Sequence, residues 1–284
     1  MASLVNTDME ADFNSFIGRS VTREDIATPR LLAEYRATMS PHLFESHEAG
    51  ACPPGFHWGI APATPETHDT GPDGAERKGL FLPPIPLPRR MWAGGSIETF
   101  GPIRVGQTIR KTSQVASVKE RHGSTGNLFI VSISHEFSGT EGLLLRERQD
   151  LVFREASASL PPASDVPQSA SGVDWTVEAS PLLLFRFSAF TFNGHRIHYD
   201  TAYAAKEGYP GLLVHGPLQA ALMLNLVSLK RGAVPRRFDY RCLAPLFGGG
   251  TFGVACEDHT SSTVKIIRGD GVTTAEGQVH VPET

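Results

Sequence analysis

The segment that most constrains the fold of this chain is Gly216–Lys230, which reads GPLQAALMLNLVSLK. An early proline, an interior of leucines and alanines, the basic residues Lys230 and Arg231 in the last turn and Gly232 just beyond are typical of an α-helix. The segment is apolar on nearly every side, so the helix has to be buried. A chain of 284 residues, of which 40% are hydrophobic, can supply the layer that covers it.

Short runs of β-branched and apolar residues, separated by glycine-containing turns, predict that this layer is an antiparallel sheet. Four runs lie at 94–100, 108–120, 127–138 and 143–153, and four more lie at 236–243, 253–258, 263–268 and 273–280. We also predict a strand over 182–191 (LLLFRFSAFT) and a short helix over 199–206. Thr22 and Asp25 have the spacing of a capping box, which predicts a helix over 23–38. The sequence therefore predicts an α+β fold in which a sheet wraps a buried helix, once in each half.

The division into halves comes from a change in composition at 155–180, where small, polar and proline residues dominate. Such a stretch is typical of an interdomain linker. We predict an N-terminal domain over 1–155, a linker over 156–180 and a C-terminal domain over 181–284.

The composition argues against several classes of partner and compartment. The net charge of −4 does not favour a nucleic-acid-binding surface. The three cysteines are odd in number and lack CxxC spacing, so neither disulfides nor a structural zinc site is expected. The chain has no apolar stretch of membrane-spanning length, and its acidic N-terminus is unlike a signal peptide. We expect a cytoplasmic protein with no nucleic-acid or membrane partner.

A polar segment, Phe192–Asp200 (FNGHRIHYD), follows the apolar run 182–191. His195 and His198 have a spacing that metal ligands use, but no third ligand is suitably spaced, so no metal is expected. The histidines either satisfy buried carbonyl groups or exchange protons, which histidine does near neutral pH. The helix that begins at Gly216 presents unpaired N–H groups that can stabilise an enolate oxygen. A proton-exchanging group and an oxyanion site are what the addition of water to an unsaturated thioester requires.

This segment resembles the signature of the MaoC-like hydratases and dehydratases of the hotdog superfamily, which runs small-Gly-Asp-x-Asn-Pro-apolar-His. When the final histidines are aligned, His198 takes the position of the catalytic histidine and His195 that of the asparagine. Asn193 takes the position of the catalytic aspartate. The segment HGPL, with His215 and Gly216, looks like the family's entry into its central helix, where a glycine N–H binds the thioester oxygen.

A narrower branch of that family is more similar. It comprises mesaconyl-CoA and itaconyl-CoA hydratases and mitochondrial 3-hydroxyacyl-thioester dehydratases, which carry segments like FNxHxIHYD, EGYPGLLVHGPL and PLPRRMWAGG. The resemblance covers about residues 80–255 and implies a double hotdog whose N-terminal module lacks the catalytic residues. It implies that His198 is the general base and acid and that Asn193 orients the water or the substrate carbonyl. Asp200 either orients a histidine or caps the short helix after it.

The resemblance also implies a substrate-binding role for Gly216, His195 and His215. Arg89 and Arg90 follow a proline-rich run and either bind a CoA phosphate or a substrate carboxylate or have a structural role.

The implied activity is reversible hydration of an acyl-CoA. A branched C5 dicarboxylic substrate is expected, with mesaconyl-CoA or itaconyl-CoA giving citramalyl-CoA. The alternatives are a 3-hydroxyacyl-thioester dehydratase of fatty-acid metabolism and a non-catalytic acyl-thioester binder. No cofactor is expected apart from the CoA of the substrate. Because a double hotdog is its own pseudo-dimer, a monomer or a homodimer is expected.

Overall fold

The computed structural model describes residues 12–123, 126–155, 172–257 and 262–280. Eight of the nine predicted strands are present in the described residues, all but the one over 182–191, together with two more. The strands are β1 Ser20–Ile26, β2 Arg89–Thr99, β3 Thr108–Gly123, β4 Gly126–Gly139, β5 Gly142–Arg154, β6 Trp175–Glu178, β7 Arg237–Cys242, β8 Thr251–Cys256, β9 Thr263–Arg268 and β10 Thr273–His280. They form one antiparallel sheet in the order β1-β3-β4-β5-β2-β7-β10-β9-β8-β6. The α+β prediction is therefore confirmed.

The described residues contain four α-helices, which are α1 Pro29–Met39, α2 Pro181–Phe190, α3 Thr201–Lys206 and α4 Gly216–Arg231. Helix α4 is the predicted central helix, and every residue from Pro217 to Ser228 is buried. It packs against β2, β7, β8, β9 and β10, so its apolar surface is covered by the sheet. Gly232 ends it with a φ of 68°, a conformation that glycine adopts without steric cost. None of the described helices combines the length and the hydropathy that crossing a membrane requires.

Two local predictions are wrong. The segment with Thr22 and Asp25 is not a helix start but strand β1, because it pairs with β3 along its whole length. The helix begins later, where the side chain of Thr28 accepts a hydrogen bond from Leu31 N at 3.1 Å. The apolar run 182–191 is not a strand but helix α2, which Ser180 caps in the same way.

The two halves of the chain meet at β2 and β7, which pair from Gly94 and Arg241 to Glu98 and Arg237. Strand β6 lies inside the segment predicted to be a linker and pairs with β8. Residues 156–171 lie outside the described part of the chain. The division into two domains stays a prediction.

The first half differs from the second in what covers the inner face of its strands. We expected a buried helix in both halves, but α1 packs against α2 instead. The inner faces of β3, β4 and β5 are covered by irregular chain, in which buried Ile85 packs among Val115, Val131 and Phe153. A long central helix is therefore present only in the second half of the described chain. In the first half, several side chains of the strands line a cavity instead of packing against a helix.

Helix α4 is tied to this irregular chain by one buried amide. Asn225 Oδ1 accepts a hydrogen bond from Phe44 N at 2.9 Å. Its Nδ2 donates to Pro54 O at 2.9 Å and to Ala221 O at 2.8 Å. The side chain is fully buried, and its bonds to Phe44 and Ala221 satisfy backbone groups of buried residues.

Candidate active site

His198 lies in a 3-10 turn, Arg196–His198, between α2 and α3. Its Nδ1 lies 2.8 Å from Leu213 O. Because a carbonyl oxygen can only accept, Nδ1 carries the proton, and Nε2 is left with a lone pair. Burial lowers the pKa of His198 to about 4, so the imidazole is neutral near pH 7. A neutral imidazole with a free Nε2 can act as a base.

His215 holds the ring of His198 from one side. The two rings stack with their centroids 3.6 Å apart. The Nε2 of His215 lies 2.8 Å from Ser188 Oγ. The residue is completely buried and does not line the cavity described below, and its predicted role in substrate binding stays a prediction. The chain turns directly into helix α4 and points this side chain into the core, where it packs on the ring of His198.

His195 lies next to His198, and Asn193 contacts the backbone of His195. The rings of His195 and His198 are perpendicular, with centroids 5.6 Å apart. Asn193 Oδ1 accepts a hydrogen bond from His195 N at 3.0 Å, which leaves its NH₂ group as a donor. His195 Nε2 lies 4.0 Å from a carboxylate oxygen of Asp73, which also accepts from Arg90 at 2.8 Å. Burial lowers the pKa of His195 well below its ordinary value.

Asp200 has a structural position. Its carboxylate accepts from Tyr203 N at 2.9 Å, which caps α3. The other oxygen accepts from Arg196 Nη2 at 2.7 Å. These contacts lower the pKa of Asp200, with the bond from Tyr203 N as the first cause and the bond from Arg196 as the second. Of the two alternatives, the geometry agrees with the helix cap, and a catalytic role for Asp200 stays a prediction.

A cavity of about 1010 Å³ brings most of the predicted residues together. His198, His195, Asn193 and Gly216 all line it. Gly216 begins α4, and its N–H has no acceptor within the helix. A Cβ atom at this position would lie 3.0 Å from Trp92 Cβ, so a side chain here would press on the cavity wall. The arrangement places a base beside a donor that can stabilise an oxyanion.

The arginine pair divides between two environments. Arg89 is buried, donates to Glu207 O and lies over the ring of Tyr209, 4.8 Å from its centroid. It therefore joins β2 to the end of α3. Both arginines line the cavity, and Arg90 is already paired with Asp73.

Sequence reasoning missed Asp73, Ser188 and Trp92. Asp73 is far from the histidine segment in sequence and lies in irregular chain, so no periodic pattern could have placed it there. Trp92 belongs to the segment PLPRRMWAGG, which did mark this stretch as part of the site. Ser188 lies in the run that was interpreted as a strand, and only the helical conformation brings it to His215.

Comparison with protein-family models identifies the family to which this site belongs. The model of the hydroxyacyl-thioester dehydratase type 2 family matches residues 55–248, a range that includes the histidines, Gly216 and most of the cavity wall. The chain belongs to this family. The predicted class of enzyme, a hydro-lyase acting on acyl thioesters, is therefore confirmed.

Two curated relatives extend over most of this dehydratase-family chain. Mesaconyl-C(4)-CoA hydratase of Chloroflexus aurantiacus is 39% identical over 242 residues, which cover 84% of this chain and 86% of that protein. The mitochondrial hydroxyacyl-thioester dehydratase type 2 of Schizosaccharomyces pombe is 26% identical over 265 residues, covering 80% and 86%. The resemblance to MaoC-like hydratases and dehydratases is therefore confirmed.

Solved structures support the fold. HtdX of Mycobacterium tuberculosis superposes with a TM-score of 0.66 at 16% identity, covering 92% of this chain and 99% of that one. Another M. tuberculosis protein, described as a double hotdog, superposes with a TM-score of 0.52 at 12% identity, covering 93% and 96%. The predicted double hotdog is confirmed.

Proposed function

We propose that this enzyme reversibly hydrates a branched C5 dicarboxylic acyl-CoA, with mesaconyl-CoA or itaconyl-CoA giving citramalyl-CoA. The observation that carries the chemistry is the neutral His198, whose Nε2 is free and which lines the same cavity as the first N–H of α4. The identity to mesaconyl-C(4)-CoA hydratase supports the choice of substrate. The reaction uses no cofactor other than the CoA of the substrate.

In the hydration direction, Nε2 of His198 takes a proton from water while the water oxygen bonds to Cβ. The π electrons move towards the thioester carbonyl, and the Gly216 N–H stabilises the enolate oxygen that forms. The protonated His198 then returns the proton to Cα, so protons balance with one histidine. His195, with Asp73 behind it, is a second candidate for this delivery. Asn193 can hold the water or the carbonyl through its NH₂ group but cannot exchange a proton.

A substrate panel tests the proposal. We expect hydration of mesaconyl-CoA or itaconyl-CoA with a kcat/KM above that for crotonyl-CoA, measured by loss of the enoyl absorbance and by mass spectrometry of the product. Each C5 thioester is assayed with CoA on either carboxyl group. Hydration of crotonyl-CoA alone would reject the dicarboxylate substrate and retain the hydratase.

A second candidate function is dehydration of 3-hydroxyacyl thioesters in fatty-acid metabolism. Two observations favour it, namely the cavity of about 1010 Å³, which is large for a C5 acyl group, and the S. pombe relative. Activity that rises steadily from crotonyl-CoA to 2-dodecenoyl-CoA would favour this function. The proposed C5 specificity predicts the opposite trend.

The activity is also expected to depend on pH through His198. Because burial lowers the pKa of this base to about 4, it is unprotonated and active above pH 4 and protonated and inactive below. We expect kcat/KM for crotonyl-CoA to be level from about pH 5.5 to 7 and to fall about tenfold per unit below pH 4. Circular dichroism at each pH separates this from acid unfolding. An acid limb near pH 6.5 would contradict the neutral, buried state of His198.

A further inference from the structure

Two cations face each other on the cavity side of the first half. The register of β1 and β3 places Arg23 directly opposite Lys111, so both side chains lie on the same face of the sheet. On β3, the residues that share this face with Lys111 include Ile109 and Ser113, which are buried. Both cations line the cavity that holds His198 and Gly216.

Neither cation has an ion-pair partner in the described part of the chain. No carboxylate oxygen among these residues lies within 4.0 Å of Arg23 or Lys111. The Nζ atom of Lys111 lies over the ring of Phe137, 5.1 Å from its centroid. Arg90 differs, because its positive charge is offset by Asp73 at 2.8 Å.

The carboxylates on this face have other partners. Asp25 Oδ2 accepts a hydrogen bond from Ala61 N at 3.0 Å. Glu147 is 2% exposed, and its Oε1 accepts from Trp58 Nε1 at 2.8 Å. Burial raises the pKa of Glu147 to about 7, so it offsets the cations only in part near neutral pH. Burial is also the first cause that lowers the pKa of Lys111, to about 8.

Like charges directly opposite each other on neighbouring strands destabilise a sheet. A partly buried cation pair that the neighbouring Glu147 offsets only in part is therefore costly to the fold unless an anion enters the cavity. The wall between Gly216 and this pair is aromatic. Trp92 packs beside Gly216, and its Nε1 donates to Tyr240 Oη at 3.1 Å. Trp58 packs edge-on against the ring of Tyr240 and donates a hydrogen bond to Glu147. This surface suits an acyl chain, and both cations line the same cavity as Trp58 and Trp92.

We propose that Arg23 and Lys111 form an anion subsite that binds a carboxylate at the far end of the acyl chain of the substrate. We call these two residues the carboxylate subsite. The inference rests on the proposed function, since it requires the thioester to be held at Gly216 with its acyl chain directed along Trp92 and Trp58. It assigns the choice of dicarboxylic substrates to the module that lacks the catalytic histidines.

Unreactive thioesters test the subsite apart from turnover. Inhibition constants are measured against crotonyl-CoA hydration for succinyl-, glutaryl- and adipyl-CoA, each beside the saturated monocarboxylic acyl-CoA of equal chain length. At one chain length or more, we expect the dicarboxylic thioester to bind at least about tenfold more tightly, as for one charged hydrogen bond. The length with the largest ratio reports the depth of the subsite. The absence of any such preference would overturn the subsite, whereas the hydratase function is tested separately by turnover of the C5 thioesters and of crotonyl-CoA.

Variants assign the preference to these residues. Lys111→Met and Arg23→Met are each expected to lower the dicarboxylic preference about tenfold. Arg110→Met is the matched control, since Arg110 is the next residue of β3, faces solvent and pairs with Glu24. It removes the same charge and should leave the preference unchanged. If the variants weaken binding of the dicarboxylic and the monocarboxylic thioester equally, the cations bind a CoA phosphate and the proposal is overturned. An unchanged ratio of the two inhibition constants in correctly folded Lys111→Met would also overturn it.

Discussion

Replacement of His198 by alanine is expected to lower kcat/KM for crotonyl-CoA by about 10²- to 10⁴-fold, the usual contribution of a general base. His198 is the histidine whose Nδ1 is fixed by Leu213 O and whose ring contacts the rings of His195 and His215. Without it, the water loses the neutral imidazole whose Nε2 is free to accept its proton. The measurement is steady-state hydration at pH 7, together with the inhibition constant of butyryl-CoA, which we expect to change much less.

Two further variants separate chemistry from packing. His198→Gln keeps a hydrogen-bonding side chain but cannot exchange a proton, so it should lose as much activity as His198→Ala. Asp200→Asn keeps a good helix cap and removes the carboxylate, so its activity should stay within about threefold of the wild type. Full activity in His198→Gln would refute the proposed base. A loss in Asp200→Asn as large as that in His198→Ala would return Asp200 to the catalytic set.

The largest expected effect on stability is that of Asn225→Ala. This change leaves the buried Phe44 N without its acceptor and removes one donor from the half-buried Pro54 O. A buried polar group without a partner costs about 1–3 kcal/mol, and we expect a total loss of about 2–4 kcal/mol in the free energy of unfolding. Urea denaturation at pH 7 measures it as a lower midpoint at unchanged slope.

Ser228→Ala is the matched control on the same helix. Ser228 is equally buried, but its hydroxyl bonds only to Leu224 O within α4. Its removal leaves no N–H group of another segment unsatisfied, so we expect a loss below about 1 kcal/mol. Similar losses for the two variants would show that Asn225 does not connect α4 to the irregular chain with the strength proposed.

The local sequence pattern was sufficient to predict secondary structure where it strongly favoured one conformation. Helix α4 and the eight strands were predicted from periodicity and turn residues, because these signals act over a few residues. The run 182–191 was interpreted wrongly because a short, continuous apolar run suits either a strand or a helix. Ser180 and Pro181 just before it carry the N-cap signal that decides for a helix. At Thr22, the capping-box spacing was overridden by pairing with β3.

In the site, too, residues that are close in the sequence were predicted to lie together, whereas contacts between residues distant in the sequence were not. The sequence by itself determined that His198, Asn193 and Gly216 belong to one site, because they lie in two short segments separated by a few turns. Tertiary structure decided the role of each neighbour. It brought Asp73 to His195, turned His215 into the core and showed that Asp200 caps α3.

Arg23 and Lys111 illustrate why the sequence alone does not show which distant residues become neighbours. In the sequence, Arg23 and Lys111 belong to two unrelated segments, and only the register of β1 against β3 makes them neighbours. Register is set by the summed burial and hydrogen bonding of whole strands, which no local pattern encodes. The sequence therefore determined the secondary structure that carries the chemistry and the histidine at its centre. The cavity, and the charges along its wall, depended on how those strands pair.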